Sequence, residues 1–412
     1  MEQPIVALVA CANYEQAAVD AAVRRAIDLV GGMAAFVKPG QRVLLKPNLV
    51  RAMAPEQAAT THPAIVSAVA RLVIAAGGQP VIVESPGGPA NLAWVRNAYR
   101  RSGIADAAAA SGIVLNENMA GVQVAHPEGV LLHRLDLLQA ATEADVIINL
   151  PKLKTHNLTT LTLGVKNLFG LVPGAIKIGY HSKLHDRERF AQALVDIYTY
   201  TRPALTLMDA IVGMEGNGPT GGSPRPIGAL LASANTLACD TVSAALVGVD
   251  PLKVLTTAVA AERGLCTGRL KDVRVLGDAL PGLQVSGFRL GMEMDFDPGL
   301  LPRLARRVAA PLLRAGKAAR QPQAGADGEA PRRVVSNNWV FRQLVAVPFA
   351  TESCIGCGFC ARHCPVNAIT IVAGKAQMDY GICIRCYCCH ELCPETAIEL
   401  KRPWLGRLLM GS

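Results

Sequence analysis

Nine of the twelve cysteines in this 412-residue chain fall between residues 354 and 393, in two runs with one shared spacing. The first run is CIGCGFCARHCP and the second is CIRCYCCHELCP, and both follow the pattern C-x2-C-x2-C-x3-C-P. Each pattern cysteine of the second run follows its counterpart in the first run by the same number of residues, as Cys383 follows Cys354. The two copies also match beyond the cysteines, because Ala397-Ile398 follows Ala368-Ile369 by the same number. The chain therefore contains an internal duplication of a complete metal-binding unit.

The spacing suits an iron–sulfur cubane, because two intervening residues let successive thiolates surround one face of it. The small Gly356 and Gly358 let the backbone approach closely. Residues 349–400 resemble the bacterial two-cluster ferredoxins, in which the fourth cysteine of each run ligates the other cluster. The resemblance implies two [4Fe–4S] clusters as cofactors, one held by Cys354, Cys357, Cys360 and Cys393, and the other by Cys383, Cys386, Cys389 and Cys364.

Structural zinc is the alternative to the clusters, because four cysteines also hold zinc. Zinc sites usually pair two C-x2-C halves across a longer gap, so the duplicated four-cysteine pattern favours iron–sulfur clusters. Cys388 aligns with Phe359 and is predicted to be a thiol beside the ligands, with a role as alternative ligand left open. Cys11, Cys239 and Cys266 are predicted to be buried structural cysteines.

Composition and charge exclude several classes of protein. Apolar residues make up 51% of the chain and charged residues 18%, which excludes a disordered chain. The net charge is +9, but most of the excess lies after residue 298, so the large domain lacks the basic face that binds nucleic acid. No apolar run approaches the roughly 20 residues that span a bilayer. Since no signal-peptide pattern opens the chain, we expect a cytoplasmic protein.

The segment 1–280 alternates short β-rich runs with longer helical segments, one of them predicted over 158–169. This alternation is typical of an α/β domain with a mostly parallel sheet. We therefore expect a large α/β domain and a small α+β two-cluster ferredoxin-like domain. The predicted parts are the α/β domain over 1–295, a basic helix and flexible linker over 296–348, the ferredoxin-like domain over 349–400 and a basic, apolar tail over 401–412.

Four polar motifs follow or adjoin the predicted strands of the large domain. They are K-P-N at 46–48, K-x-K-T-H at 152–156, G-V-K-N-L-F-G at 164–170 and E-G-N-G-P at 215–219. Together they resemble the family called domain of unknown function 362, over residues 5–280. The resemblance implies an α/β fold, with a ferredoxin-like tail in many members, and it implies no particular reaction.

Parallel strands bring such motifs to one edge of the sheet, where their lysines are predicted to form an anion site for carboxylate or phosphate. The predicted substrate-binding residues are Lys46, Asn48, Lys152, Lys166 and Asn167. The predicted catalytic residues are Lys154, His156 as proton donor and Glu215 as relay. The alternative for each lysine is a solvated surface role. His62, before a proline, is predicted to cap a helix rather than to act in catalysis.

The fusion of an electron-storing module to a pocket-bearing domain favours a ferredoxin-dependent oxidoreductase that reduces an anionic substrate. The alternative is a non-catalytic electron carrier or assembly factor for a partner redox protein, docked by the basic linker. A membrane-peripheral redox subunit is a third hypothesis and depends on Trp404 and its apolar and basic neighbours. The glycine-rich turns match neither a dinucleotide fingerprint nor a phosphate loop, so nucleotide binding is not expected.

Overall fold

A computed structural model describes residues 3–88, 91–184, 186–291 and 346–404, without the side chains of residues 175, 178 and 181–183. The predicted basic helix and linker, apart from residues 346–348, lie outside these ranges, as does the tail after residue 404. Trp404 itself is described and is 55% exposed. Within the described ranges, no helix is both long enough and apolar enough to cross a membrane.

A mixed sheet of ten strands forms the centre of the large domain. The strands of this domain are β1 (Ile5–Ala10), β2 (Arg42–Pro47), β3 (Gln79–Ile82), β4 (Val114–Leu115), β5 (Gly121–Ala125), β6 (Arg134–Leu138), β7 (Val146–Leu150), β8 (Lys152–His156), β9 (Thr160–Thr162), β10 (Leu205–Glu215), β11 (Ser223–Ser233) and β12 (Arg274–Gly277). The sheet order is β12-β1-β11-β10-β7-β2-β3-β4, with β8 beside β10 and β9 beside β8, while β5 and β6 form a separate hairpin. Three pairs are antiparallel (β1 with β11, β10 with β11, β8 with β9), and the other pairs in the sheet run parallel, which confirms the predicted fold class.

Helices cover both faces of this sheet. They are α1 (Gln16–Asp28), α2 (Met33–Phe36), α3 (Pro63–Ala75), α4 (Leu92–Arg101), α5 (Ile104–Ser111), α6 (Gln139–Thr142), α7 (Gly164–Asn167), α8 (Gly174–Lys183), α9 (Arg187–Thr201), α10 (Thr236–Leu246), α11 (Leu255–Glu262) and α12 (Leu280–Leu283), with 3-10 turns at Pro55–Gln57, Leu168–Leu171, Pro251–Lys253 and Leu270–Asp272. Successive strand side chains point to opposite faces, so Val43 and Leu45 pack under α1 and α3 while Leu44 packs under α9.

The cap predicted at His62 is confirmed. His62 caps the start of α3, because its Nδ1 accepts the Ala64 N–H at 3.2 Å. After α3, Gly77 has a φ angle of +82°, a backbone conformation that favours glycine at the end of a helix. The glycine lets the chain turn from α3 into β3.

The helix predicted over 158–169 is wrong. Residues 160–162 form β9, which turns back antiparallel on β8 and places Thr162 opposite Lys154. The β-branched Thr159, Thr160 and Thr162 lose side-chain freedom in a helix and suit a strand, which explains the difference. Helical structure resumes only in the short α7 and the 3-10 turn that follows it.

The C-terminal unit has two small antiparallel sheets and two short helices. Its elements are β13 (Val347–Ala350), α13 (Phe359–Arg362), β14 (Ile369–Val372), β15 (Lys375–Met378), α14 (Cys388–Leu392) and β16 (Ile398–Lys401). β13 pairs with β16, so the two ends of the unit lie side by side, and β14 pairs with β15.

The sequence duplication is also a duplication of the backbone. α13 begins at Phe359 and α14 at Cys388, which the cysteine alignment makes equivalent positions. Three left-handed positions recur at the same offset, as the pairs Gly356 and Arg385, Gly358 and Tyr387, and Asn367 and Thr396. Non-glycine residues rarely adopt this conformation, so the second half keeps the shape of the first even where its glycines are replaced.

Candidate functional site

A pocket of about 720 Å³, including its open mouth, lies at the carboxyl ends of β2 and β3. Its polar wall in the α/β domain includes Asn48, Glu84, Lys154, Lys166 and Lys177. Its opposite wall is the helix α14 of the C-terminal unit, through Cys388, Glu391 and Leu392. The pocket is therefore bounded by both units of the chain.

A chain of amide groups holds Lys154 in place. The Lys154 Nζ donates to Asn48 Oδ1 at 2.8 Å and to the Ala59 carbonyl at 2.5 Å. Asn48 Nδ2 donates in turn to Asn167 Oδ1 at 2.9 Å, and Asn167 Nδ2 donates to Asn149 Oδ1 at 2.8 Å. Asn48 and Asn167 thus serve first as supports for the lysine.

Lys166 and Lys177 stand against aromatic rings. The Lys166 Nζ lies 5.0 Å from the Phe169 ring centre and 5.8 Å from that of Phe190. The Lys177 Nζ donates to the Ser85 carbonyl and lies 3.8 Å from Glu84 Oε1. A cation–π contact holds an ammonium group without using its hydrogen-bond donors, so the donors of Lys166 remain available to a ligand, whereas Lys177 already uses one on Ser85.

Burial lowers the pKa of all three lysines that line the pocket. The pKa of Lys154 falls well below its ordinary value, through burial and then the nearby Lys166 charge. Burial likewise lowers the pKa of Lys166, against the opposing effect of Glu391. The pKa of Lys177 falls to about 7 because burial outweighs the attraction of Glu84. A bound anion would favour the charged form of each.

His156 faces a carboxylate of the C-terminal unit. Its Nδ1 accepts the Leu158 N–H at 3.1 Å, so the proton of the neutral ring lies on Nε2. That Nε2 lies 3.5 Å from Glu391 Oε1, and both residues line the pocket. The geometry gives the ring a fixed tautomer with its N–H directed toward the pocket.

Three residues predicted for the site do not line the pocket. Lys46 Nζ is paired with Glu84 Oε2 at 2.6 Å and is fully buried. Lys152 Nζ is paired with Asp209 at 2.9 Å and donates to the Tyr14 hydroxyl at 2.6 Å. Glu215 is paired with Arg289 at 2.9 Å. All three are engaged in ion pairs of the framework.

Sequence reasoning missed four residues of the pocket, namely Glu84, Thr162, Lys177 and Glu391. Glu84 follows a parallel strand and could have been found by the rule that located Lys46. Thr162 was hidden by the wrong helix over 158–169. Lys177 and Glu391 belong to no recognisable motif, and only the packing of α8 and α14 brings them to the site.

The cysteines of the C-terminal unit form two groups. Cys354, Cys357, Cys360 and Cys393 surround one small cavity. Burial, Cys393, Cys354 and Cys357 together raise the pKa of the Cys360 thiol to about 11, and burial with Cys386, Cys383 and other thiols raises that of Cys389. Cys364 and Cys386 likewise act on Cys383. The cysteines of the first implied ligand set share one cavity, whereas Cys389 of the second set is influenced by Cys360 of the first set as well as by Cys364.

Further observations agree with cluster binding at these cysteines. The Ala368 N–H donates to Cys364 Sγ at 3.1 Å, and the Ala397 N–H donates to Cys393 Sγ at 3.3 Å, so equivalent residues of the two halves make the same bond. Such bonds to sulfur support and tune iron–sulfur ligands. None of the twelve cysteines, all of which are described, forms a disulfide. Cys11 and Cys239 are buried and Cys266 is partly exposed.

Three contacts join the two units beside these cysteines. The Arg51 Nη1 of the α/β domain donates to the Cys393 carbonyl. His390 Nε2 lies 3.3 Å from the Asn217 carbonyl. Trp94 stacks on Phe359, with ring centres 5.1 Å apart. The contacts place α14 against the pocket rather than leaving it on a separate arm.

Comparison with known proteins supports both halves of this architecture. A model of domain of unknown function 362 (DUF362) matches residues 43–245. A thylakoid-associated protein of Synechocystis sp. is 39% identical over 261 residues, which span 63% of this chain and 79% of that protein. The chain belongs to the DUF362 family. The matched region of this DUF362 protein contains the lysines of the pocket.

The C-terminal unit has relatives of its own. A model of a 4Fe-4S binding domain matches residues 347–370. One component of an ion-translocating oxidoreductase complex of Methanosarcina acetivorans is 42% identical over 48 residues, which are 12% of this chain and 18% of that component. Formate hydrogenlyase subunit 2 of Escherichia coli is 50% identical over 42 residues, 10% of this chain and 21% of that subunit. The DUF362 protein is therefore an iron–sulfur electron-transfer protein.

Proposed function

We propose that this chain holds two [4Fe–4S] clusters and is an oxidoreductase that passes their electrons to an anionic substrate bound in the pocket. The observation that carries the proposal is the place of α14. Cys388 of that helix lines the pocket, and the next residue, Cys389, is one of the proposed cluster ligands. An electron store and a lysine-lined binding site therefore share one short helix.

The ligand sets are those of the cross-ligated arrangement. Cys354, Cys357, Cys360 and Cys393 would hold one cluster, and Cys383, Cys386, Cys389 and Cys364 the other. Such clusters, when bound, accept and release single electrons at a potential that the surrounding protein sets. A redox partner protein supplies the electrons, a role supported by the similarity of the C-terminal unit to components of oxidoreductase and formate hydrogenlyase proteins.

The side chains of the pocket have separable roles. Lys154, Lys166 and Lys177 bind the substrate anion. His156 donates the proton that accompanies reduction, from the Nε2 that faces the pocket. Glu391, whose Oε1 lies 3.5 Å from that Nε2, takes the relay role that was expected of Glu215 and stabilises the protonated imidazole by its charge.

Lys154→Ala and His156→Ala are expected to slow reoxidation of the dithionite-reduced holoprotein by a bound substrate. Loss of a positioned proton donor lowers such a rate by roughly 100-fold or more. Reoxidation is followed by absorbance under anaerobic conditions, with unsaturated and oxo carboxylates as candidate oxidants. Lys271→Ala, an exposed lysine far along the chain from the pocket motifs, is the matched control and should leave the rate unchanged.

A non-catalytic electron carrier is the second candidate, because the first ligand set reaches the solvent at Cys357. Cys357 is exposed and its neighbour Ile355 is 66% exposed, as a surface that meets a redox partner requires. A carrier would stay reduced with every small molecule and be reoxidised only by a protein. Persistent reduction with all candidates, or unchanged rates in both pocket variants, would therefore favour the carrier over the oxidoreductase.

Arg51→Met is expected to lower the reduction potential of the cluster held by Cys393. Arg51 is 3% exposed, and its Nε and Nη2 have no hydrogen-bond acceptor among the described residues. A buried cation stabilises the added electron, so its loss should shift the potential by about 60 mV, the one-electron equivalent of a tenfold change. Redox titration monitored by EPR measures the shift. Arg51→Lys keeps the charge and should retain most of the potential; equal potentials in wild type and Arg51→Met would contradict this role.

A further inference from the structure

We propose that the pocket binds a compact dianion, with its two charges on carboxylate or phosphate oxygens, between the α/β domain and α14. The inference rests on the proposed function for the place of this ligand in a reaction, but binding itself requires no electron transfer. The inference gives the anionic substrate two negative charges and a small size. It also makes α14 of the C-terminal unit one wall of the binding site.

The charge follows from the groups that face one another in the pocket. Lys154, Lys166 and Lys177 contribute three ammonium groups, while Glu84 and Glu391 contribute two carboxylates. Glu84 is already neutralised by Lys46, whose Nζ lies 2.6 Å away. In the charged form that a bound anion favours, the three lysines face one remaining carboxylate, an excess of two positive charges in a largely buried space. Buried charge is costly unless it is paired, so a ligand with two negative charges completes the site.

Hydrogen-bond donors that the protein leaves unused support the same conclusion. Thr162, which is 2% exposed and lines the pocket, has a hydroxyl with no hydrogen-bond partner among the described residues. The Lys166 Nζ donates no hydrogen bond to any described residue and rests on two aromatic rings. Lys154 uses two of its three donors. A buried donor without an acceptor costs free energy, which oxygen atoms of a ligand would recover.

The size of the ligand follows from the walls. The figure of about 720 Å³ includes open solvent, and the enclosed part of the pocket is much smaller, so the site suits only a compact ligand. Leu392 closes the side toward α14: a Cβ added to Gly87 would stand 2.9 Å from its Cδ2. Among the described residues the lining contains lysines and no arginine, so these residues recognise a ligand by charge and single hydrogen bonds rather than by the paired, coplanar hydrogen bonds of a guanidinium group.

Isothermal titration calorimetry of the oxidised full-length holoprotein tests the inference. The probes are malonate, succinate and inorganic phosphate as dianions, acetate as a monoanion and malonamide as a neutral analogue. We expect at least one dianion to bind about tenfold or more tightly than acetate, and malonamide not to bind. Preference for malonate or succinate identifies carboxylates as the ligand groups, and preference for phosphate identifies a phosphate ester.

Lys166→Met and Lys177→Met each remove one charge at nearly constant volume and should weaken dianion binding by about tenfold, the effect of roughly 1.4 kcal/mol. Lys271→Met is the control and should bind like wild type. Iron content and circular dichroism establish whether each variant is folded. If one variant does not fold, the titrations of wild-type protein with the five probes still decide the charge preference. Equal binding of acetate and the dianions, no binding of any probe, or full affinity in both folded lysine variants would overturn the inference.

The two proposals fail separately. Dianion binding without reoxidation by any anion would support the proposed binding site and contradict the oxidoreductase function. Reoxidation by a monoanionic or neutral compound would support the oxidoreductase function and contradict the proposal that the ligand is a dianion.

Discussion

Cys389→Ser is expected to lower bound iron from about eight to about four atoms per chain, whereas Cys388→Ser should leave it unchanged. The two cysteines are adjacent at the start of α14, so the pair of variants holds sequence position and helix nearly constant. Cys389 lies within electrostatic reach of Cys386, Cys383 and Cys364, as a member of one ligand set should. Cys388 lines the pocket and is hydrogen-bonded to Cys386, but it has no counterpart among the ligand-type cysteines of the first run. Iron and acid-labile sulfide analysis, with EPR of the reduced protein, measures the difference.

The same pair of variants also tests the cluster count. Equal iron loss in both would make Cys388 a ligand, and iron near four atoms in the wild type would reduce the count to one cluster. Cys266→Ser, at a partly exposed cysteine of the α/β domain, controls for loss of a thiol alone and should keep all the iron. Circular dichroism distinguishes the loss of a cluster from the loss of the fold.

The sequence predicted the internal repeat of the C-terminal unit, because a repeated ligand pattern demands a repeated backbone. The constant offset between the two cysteine runs aligns α13 with α14 and pairs Asn367 with Thr396, both with a φ of +52°. Arg385 and Tyr387 occupy positions where the first half has glycine, so glycine spacing alone would have missed the second copy. The cysteines were sufficient because metal ligation tolerates little change in their spacing.

The pocket was predicted only in part, because lysines in similar sequence positions occupy different environments in the fold. Lys152 and Lys154 both lie in β8, separated by a single residue, yet only Lys154 lines the pocket. Lys152 meets Asp209, which comes from β10 and is distant in the sequence. Local pattern indicates that a lysine ends a strand but does not indicate which carboxylate the fold brings to it. The contribution of α14 to the pocket could not be predicted from the sequence either, because its position depends on packing between the two units.

The framework role of Lys152 leads to the largest stability effect that we expect. Asp209 is fully buried and accepts hydrogen bonds from Lys152 Nζ at 2.9 Å, the Tyr14 hydroxyl at 2.7 Å and the His62 N–H at 2.9 Å. Asp209→Asn leaves the Lys152 ammonium buried without a counter-charge, which should cost about 3–5 kcal/mol of folding free energy. The measurement is urea unfolding of the anaerobic holoprotein, followed by circular dichroism.

Two further variants isolate the buried charge as the cause. Glu128→Gln breaks the pair with Arg202, whose side chains are both about three-quarters exposed, and should not shift the unfolding midpoint measurably. The double variant Asp209→Asn with Lys152→Met removes the stranded cation and should recover part of the lost stability. A midpoint for Asp209→Asn equal to that of Glu128→Gln would show that the ion pair does not support the fold. A double variant less stable than Asp209→Asn alone would assign the loss to the hydrogen bonds of Tyr14 and His62 rather than to the uncompensated charge.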